Sequence, residues 1–224
     1  MKLYTTYSES HAEIFEQWFL PSLKLTNPNI DLHHHIYEQV CSSGRFMSHG
    51  WQQTMIIKNE LIINSLDQAE EGEIIIHSDA DVQFFKDIQK NLDLSLFIDY
   101  DMVCQSDGGG VLCDQGLSAF CYGFMIIKNN FKTRSMFKRI LELVKITNST
   151  DQFLLNNIYK QFDVSILGYD RSYFSVWMSN NCLVWDGEEL VNIPDNLILH
   201  HANWTVGVDN KIKLFDIVKR CQVC

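Results

Sequence analysis

The segment Ile74-Ile75-Ile76-His77-Ser78-Asp79-Ala80-Asp81-Val82 constrains the fold most. Three consecutive β-branched residues, entered through Glu71-Gly72, read as a short strand buried on both faces, the habit of a parallel sheet. That strand runs straight into two carboxylates separated by one residue. In sheets of this kind ligands bind outside the carboxyl ends of the strands, where Asp79 and Asp81 fall. Two adjacent anions repel each other unless a cation neutralises them, and hard oxygen ligands at this density suit Mg²⁺ or Mn²⁺. A turn that uses Asp for local backbone bonds would give the same letters, so the pattern alone does not decide.

The rest of the chain alternates in the same manner. Lys2–Tyr7, Asp31–Val40, Tyr100–Gln105, Phe120–Lys128, Asp163–Leu167 and Leu197–His201 read as strands. His11–Leu20, Trp51–Asp67, Phe131–Lys145, Asp151–Tyr159 and Lys211–Val218 read as helices, the second with Met55, Ile56, Leu61, Ile62 and Leu66 on one stripe. Pro21 and Asn27-Pro28-Asn29 are expected to break the chain, and Thr150 or Asp151 to cap a helix. This order predicts an α/β fold with a mostly parallel sheet. The 224 residues suffice for one domain with its own core, 1–224, or two small ones sharing it.

Composition removes several classes of function. Eighteen Lys and Arg against 28 Asp and Glu leave a net charge of −10, with no basic run, so nucleic acid is a poor partner. An anionic ligand would have to be held by local cations against that field, best by a bound metal. No apolar run approaches the ~18 residues of a membrane span, and the amino end lacks a signal-peptide stretch. Seven irregularly spaced cysteines, with only Cys221-Gln222-Val223-Cys224 as a C-x-x-C, read as reduced thiols of a cytoplasmic protein.

Two further features carry chemistry. Leu197-Ile198-Leu199-His200-His201-Ala202-Asn203-Trp204 again ends an apolar strand in polar groups, followed by Gly207 and Lys211. Neighbours on a strand face opposite ways, so one imidazole can complete the carboxylate site while the other is structural. Lys211 can meet a phosphate as a point charge. Thr150-Asp151-Gln152 opens a helix that can face a cleft, although a plain cap accounts for it too. His33-His34-His35 is split across two faces by strand alternation and is discounted as a metal cluster. Trp18, Trp51, Trp177, Trp185 and Trp204 are scattered, and core packing explains most tryptophans. Gly108-Gly109-Gly110 has no lysine nearby and reads as a loop rather than a phosphate cradle.

In this order, Ile74–Phe84, Phe120–Lys128 with its helix, Asp151-Gln152 with Asn156, and His201-Ala202-Asn203-Trp204…Gly207…Lys211 resemble the nucleotide-diphospho-sugar transferases of the GT-A fold. The resemblance covers roughly residues 51–215. It implies a Rossmann-like α/β/α sandwich with a central mixed, mostly parallel sheet, residues 1–100 holding the nucleotide sugar and 101–224 the acceptor and catalytic half. Asp79 and Asp81 would match the D-x-D motif and His201 the third protein ligand of Mn²⁺ or Mg²⁺. Thr5, Thr6 and Tyr7 would hold the nucleobase. Lys58, with Ser78 and Ala80 of the motif strand, would face the donor; Asn203, Gly207 and Lys211 would border the diphosphate. Asp151 and Gln152 would lie by the sugar and acceptor as catalytic residues. Cys121-Tyr122 stand where the family usually has an Asn and a small residue, which alters the wall beside the donor sugar. In lacking a membrane anchor the chain is similar to soluble members from microbes or large DNA viruses.

The implied activity is metal-dependent transfer of a sugar from a nucleoside-diphosphate sugar, a UDP-sugar, to a hydroxyl of a glycan or glycoprotein, with a lean towards retention. Inversion would need a carboxylate base beside the acceptor, with Asp151 the first candidate before Asp170, Asp186 and Glu188. The competing readings are a metal-dependent nucleotidyltransferase, which would release pyrophosphate, and a non-catalytic sugar- or nucleotide-binding module.

Overall fold

The structure, a computed structural model, describes residues 1–41, 48–107, 120–169, 173–175, 185 and 193–222. Gly108-Gly109-Gly110, Asp170, Trp177, Asp186, Glu188 and three of the cysteines, Cys113, Cys182 and Cys224, lie outside the described residues.

Strands buried on both faces produce the central layer. The strands β1 (Lys2–Ser8), β2 (Asp31–Tyr37), β3 (Ile74–Ser78), β5 (Met102–Ser106), β6 (Phe120–Lys128) and β7 (Ile166–Tyr169) form one sheet in the order β2-β1-β3-β6-β5-β7. Every pairing in it is parallel except the two made by β6, which runs against both neighbours. Leu3, Ile76, Val103, Phe124 and Ile126 project to one face, and Tyr4, Ile75, Met102, Cys104, Met125 and Ile127 to the other.

Helices cover both faces, as two apolar sides require. On one side lies α1, which starts as Ala12–Ile14, widens into a π-helical stretch at Phe15–Phe19 and continues as Leu20–Thr26. It buries Phe15, Phe19 and Leu23 against the first face. Pro21 does not break the chain as expected. It sits in the first turn of Leu20–Thr26, where an N–H would have no partner within that segment. The break comes after Thr26, and Asn27 Oδ1 then accepts from the Ile88 N–H at 2.6 Å. On the other side, α2 (Trp51–Gln68) and α5 (Phe131–Ile146) bury Met55, Ile62, Leu66, Met136, Phe137 and Ile140. A capping box between Asn130 and Thr133 starts α5.

A second, three-stranded sheet sets the far wall of the site. Its order is β4 (Val82–Phe84), β9 (Leu199–His201), β8 (Tyr173–Ser175). The D-x-D segment therefore lies between β3 of the large sheet and β4 of the small one. Short helices α3 (Ile88–Asn91) and α4 (Leu96–Asp99) follow β4; α6 (Asp151–Ile158) and α7 (Val208–Cys221) complete the described helices. Strand β4 and helices α3 and α4 are too short for hydrophobic periodicity to reveal. No helix among the described residues is long and apolar enough to cross a membrane.

Candidate metal and donor site

The carboxyl ends of β3 and β9 bring Asp79, Asp81 and His201 together. Each offers one ligand atom, and the three atoms lie within 4.8 Å of one another. His201 Nε2 is 3.3 Å from Asp81 Oδ1 and 3.9 Å from Asp79 Oδ2. The antiparallel register explains the meeting: Val82 pairs with His201, and the Ala202 N–H donates to the Asp81 carbonyl at 2.9 Å. Of the two adjacent histidines, His200 turns the other way, fully buried and edge-on to Phe215, and burial pulls its imidazole down to about 3.

The donor set fits a divalent ion of the Mn²⁺ or Mg²⁺ kind: two carboxylates and one imidazole, all directed at one point. The wall opposite is shaped to leave that point open. A Cβ on Gly123 of β6 would stand 2.1 Å from His201 Cε1 and 2.9 Å from Asp79 Oδ2. Only a residue without a side chain lets the triad close beside this strand.

Two lysines balance the carboxylates. Lys58 Nζ, from α2, donates to both oxygens of Asp79 at 3.0 and 3.1 Å and sits 3.6 Å from Asp151 Oδ2. Burial works against its charge, but the Asp151 and Asp79 carboxylates outweigh it and push the ammonium above its ordinary value. Burial would raise Asp79 in turn; Lys58 prevails and holds it at about 2. Lys211 Nζ, from α7, donates to Asp81 Oδ2 and, at 3.2 Å, to the Ala202 carbonyl. Burial opposes ionisation of Asp81 as well, and Lys211 with His201 overrides it, holding that carboxyl well below its usual range. His77, packed behind the motif with Nε2 3.6 Å from Asp79 Oδ1, is kept neutral by burial.

The other expected residues are distributed unevenly around this centre. Gly207, at φ +90°, supplies the turn into α7 that carries Lys211. Ser78 donates its hydroxyl to the Asp79 carbonyl at 3.0 Å, and Ala80 is buried between the two carboxylates. Thr150 Oγ1 caps α6 through the Phe153 N–H, which leaves Asp151 free to face Lys58. Gln152 is held at both ends of its amide: Oε1 accepts from the Tyr122 N–H at 3.2 Å, and Nε2 donates to Asp107 Oδ2 at 2.8 Å. Asn203 Nδ2 donates to Asp107 Oδ1 at 2.6 Å. At the end of β1, Thr5 and Tyr7 are buried, Tyr7 stacked on Phe15, and Thr6 donates to the His35 carbonyl.

Sequence reasoning missed several groups here. His11 feels the charges of Lys211, Asp81 and Asp79, although burial is what lowers its imidazole most. Tyr37 feels Lys58 and Asp79, with burial the main reason its phenol is raised. These two residues, with Ser8, Ser10 and Gln39, form the polar rim of β1 and β2 nearest the carboxylates. Asp107, buried and accepting from Gln152, Asn203 and Trp204, belongs to no motif and stands beside a glycine run that reads as a loop. Its position just past β5 was the available signal, since every strand end of the parallel set faces this cleft.

With that geometry in hand, comparison with known proteins is decisive for family. The sequence profile of the nucleotide-diphospho-sugar transferases matches residues 22–215. The chain belongs to this family. Solved structures with a similar fold include a glycosyltransferase involved in glycosylation of the major capsid of PBCV-1, at TM-score 0.64 and 9% identity, over 96% of this chain and 98% of that one. The galactosyltransferase LgtC, in complex with donor and acceptor sugar analogs, aligns at TM-score 0.56 and 12% identity over 100% and 95%. Mouse xyloside xylosyltransferase 1 aligns at TM-score 0.53 and 9% identity over 91% and 98%. At such identities the likeness concerns the GT-A fold. A search of curated protein sequences returns no match.

Proposed function

We propose that this glycosyltransferase moves a sugar from a UDP-sugar to a hydroxyl of a glycan or glycoprotein, using Mn²⁺ or Mg²⁺ held by Asp79, Asp81 and His201. The observation that carries this reading is the convergence of those three side chains at the joint carboxyl ends of β3 and β9, with Gly123 keeping the space beside them clear. The chemistry such an ion supplies when bound is neutralisation of charge on the departing diphosphate.

The chain's own residues perform the remaining tasks. Lys211 and the Gly207 turn border the diphosphate, and Lys211 contributes a fixed positive charge to an otherwise acidic molecule. Lys58 spans Asp79 and Asp151 and so ties the donor side to the start of α6. The polar rim of Ser8, Ser10, His11, Tyr37 and Gln39 offers hydrogen bonds to the nucleoside, outward of Thr5, Thr6 and Tyr7. Asp151 and Gln152 lie by the sugar and acceptor. The lean towards retention rests on the family resemblance; Asp151, the first candidate for the base that inversion needs, is buried and faces Lys58.

A thermal-shift screen of nucleoside-diphosphate sugars with and without Mn²⁺ tests the reading. The correct donor should raise the melting temperature strongly, and only with the metal. Turnover should release a nucleoside diphosphate, and a chelator should abolish it. Release of pyrophosphate, or full activity after metal removal, would overturn the proposal.

A further inference from the structure

The end of β5 does more than complete the sheet. Its pairing with β6 is regular from Met102 to Cys104 and then shifts before Ser106, while the pairing with β7 continues through Gln105. Irregularities of this kind re-aim side chains next to functional sites. Gln105, fully buried, reaches across to the small sheet in two places. Its Nε2 donates to the Tyr173 carbonyl at 3.1 Å, and its Oε1 lies 2.9 Å from His201 Nδ1. The first bond fixes which end of the amide is oxygen. An amide oxygen can only accept, so His201 must carry its proton on Nδ1. Nε2 is then the ring atom that faces Asp79 and Asp81.

Two residues further on, Asp107 holds the same segment by different atoms. Its carboxylate accepts from Asn203 Nδ2 at 2.6 Å and from Trp204 Nε1 at 3.0 and 3.1 Å, besides Gln152. Trp204 has φ +52°, a left-handed backbone that a bulky residue adopts only when its surroundings enforce it. The indole N–H to Asp107 and the Trp204 carbonyl, which accepts from Trp185 N–H at 2.6 Å, supply that enforcement.

We propose that Gln105 and Asp107 are positioning residues that set the His201–Trp204 segment, Gln105 by fixing the ring form and aim of His201, and Asp107 by fixing Asn203 and Trp204 beside the diphosphate. This rests on the transferase reading for the ligands concerned, but the ring form of His201 can be read without them.

The test compares Gln105→Leu, Gln105→Glu and Asp107→Asn with the unaltered protein, using ¹⁵N NMR of the histidine rings and tryptophan indoles, Mn²⁺ titration alone, and UDP titration at saturating Mn²⁺. In the unaltered protein, His201 Nδ1 should carry a proton, shared with the Gln105 amide oxygen. Gln105→Glu should keep that pattern, because a carboxylate presents an acceptor whichever way it turns. Gln105→Leu should lose it and weaken Mn²⁺ binding about 10- to 100-fold. Asp107→Asn should leave the His201 pattern and Mn²⁺ affinity within about twofold. It should move the Trp204 indole signal and weaken UDP about tenfold.

A His201 with no proton on Nδ1, unchanged Mn²⁺ binding in Gln105→Leu, or equal weakening of both ligands by both variants in step with lost stability would overturn the proposal. If the unaltered protein binds neither Mn²⁺ nor UDP while the ring pattern holds and is lost in Gln105→Leu, the transferase reading fails and the positioning of His201 stands.

Discussion

The half-buried Asp79 and buried Asp81 on one side, and the buried Asp107 on the other, are stabilised in opposite ways. Asp79 and Asp81 are each paired with an ammonium, Lys58 and Lys211, and both are held below their ordinary acidity range. Asp107 is compensated by neutral donors from Gln152, Asn203 and Trp204, and burial raises it. The difference separates two jobs. A carboxylate neutralised by a single ammonium can accept another cation in its place. A carboxylate caged by two amides and an indole cannot do so without dismantling the cage, so it serves as a fixed anchor.

The sharpest way to break this contrast is to remove a triad ligand. His201→Ala should lower transfer about a thousandfold, equivalent to ~4 kcal/mol of transition-state stabilisation. The rate of nucleoside-diphosphate release measures it, and a near-normal rate would place the metal elsewhere. Next in size is Lys58→Met, which strands Asp79 and Asp151 without their cation. Removing one partner of a buried pair typically costs about 3–5 kcal/mol, readable by urea denaturation in the absence of metal.

Gly123→Ala tests the space rather than the charge. The new methyl must displace His201 or the strand, so Mn²⁺ binding should fall at least about tenfold, with an overpacking cost of about 1–3 kcal/mol in stability. Circular dichroism alongside the titration separates the two effects.

The smallest effect concerns Asp107 and pH. Burial raises its folded pKa above the ~3.9 of an unfolded Asp, so its contribution is fully present below that value and is lost as pH rises through the folded pKa. The melting-temperature gap between the unaltered protein and Asp107→Asn should therefore be larger near pH 4 than at pH 7, by on the order of 2 °C. A gap that widens with rising pH would mean that Asp107 is held charged by a partner other than the amides and indole.

Much of this architecture is written locally in the chain. Ile74–Ile76 announces a doubly buried strand, and the carboxylates after it declare its functional end. Leu197–Leu199 does the same for His201, and alternation correctly separates it from His200. Amphipathic spacing locates Trp51–Gln68 and Phe131–Ile146 within a residue or two. The rest depended on tertiary context. Pro21 fits inside its helix because it follows the π-helical stretch, in the first turn of the Leu20–Thr26 segment. His11 and Tyr37 come near the carboxylates because β1 and β2 end side by side, which no spacing along the chain encodes. Gln105 looks like one polar residue in a buried strand until the loss of register with β6 turns it towards the second sheet. The expected roles of Lys58 and Asn203 come only from the family resemblance, whereas Lys211 is already a candidate for a phosphate by its charge and its place after Gly207.

Strand β6 runs opposite to its neighbours, and this reverses where its letters matter. In β1, β3 and β5 the last residues meet the cleft, whereas in β6 the first ones do: Cys121, Tyr122 and Gly123 stand there, and Met125–Ile127 lie in the interior. Anyone diversifying this enzyme should therefore begin at Cys121, keep Gly123 as it is, and leave the tail of that strand alone, the reverse of the rule for β1, β3 and β5.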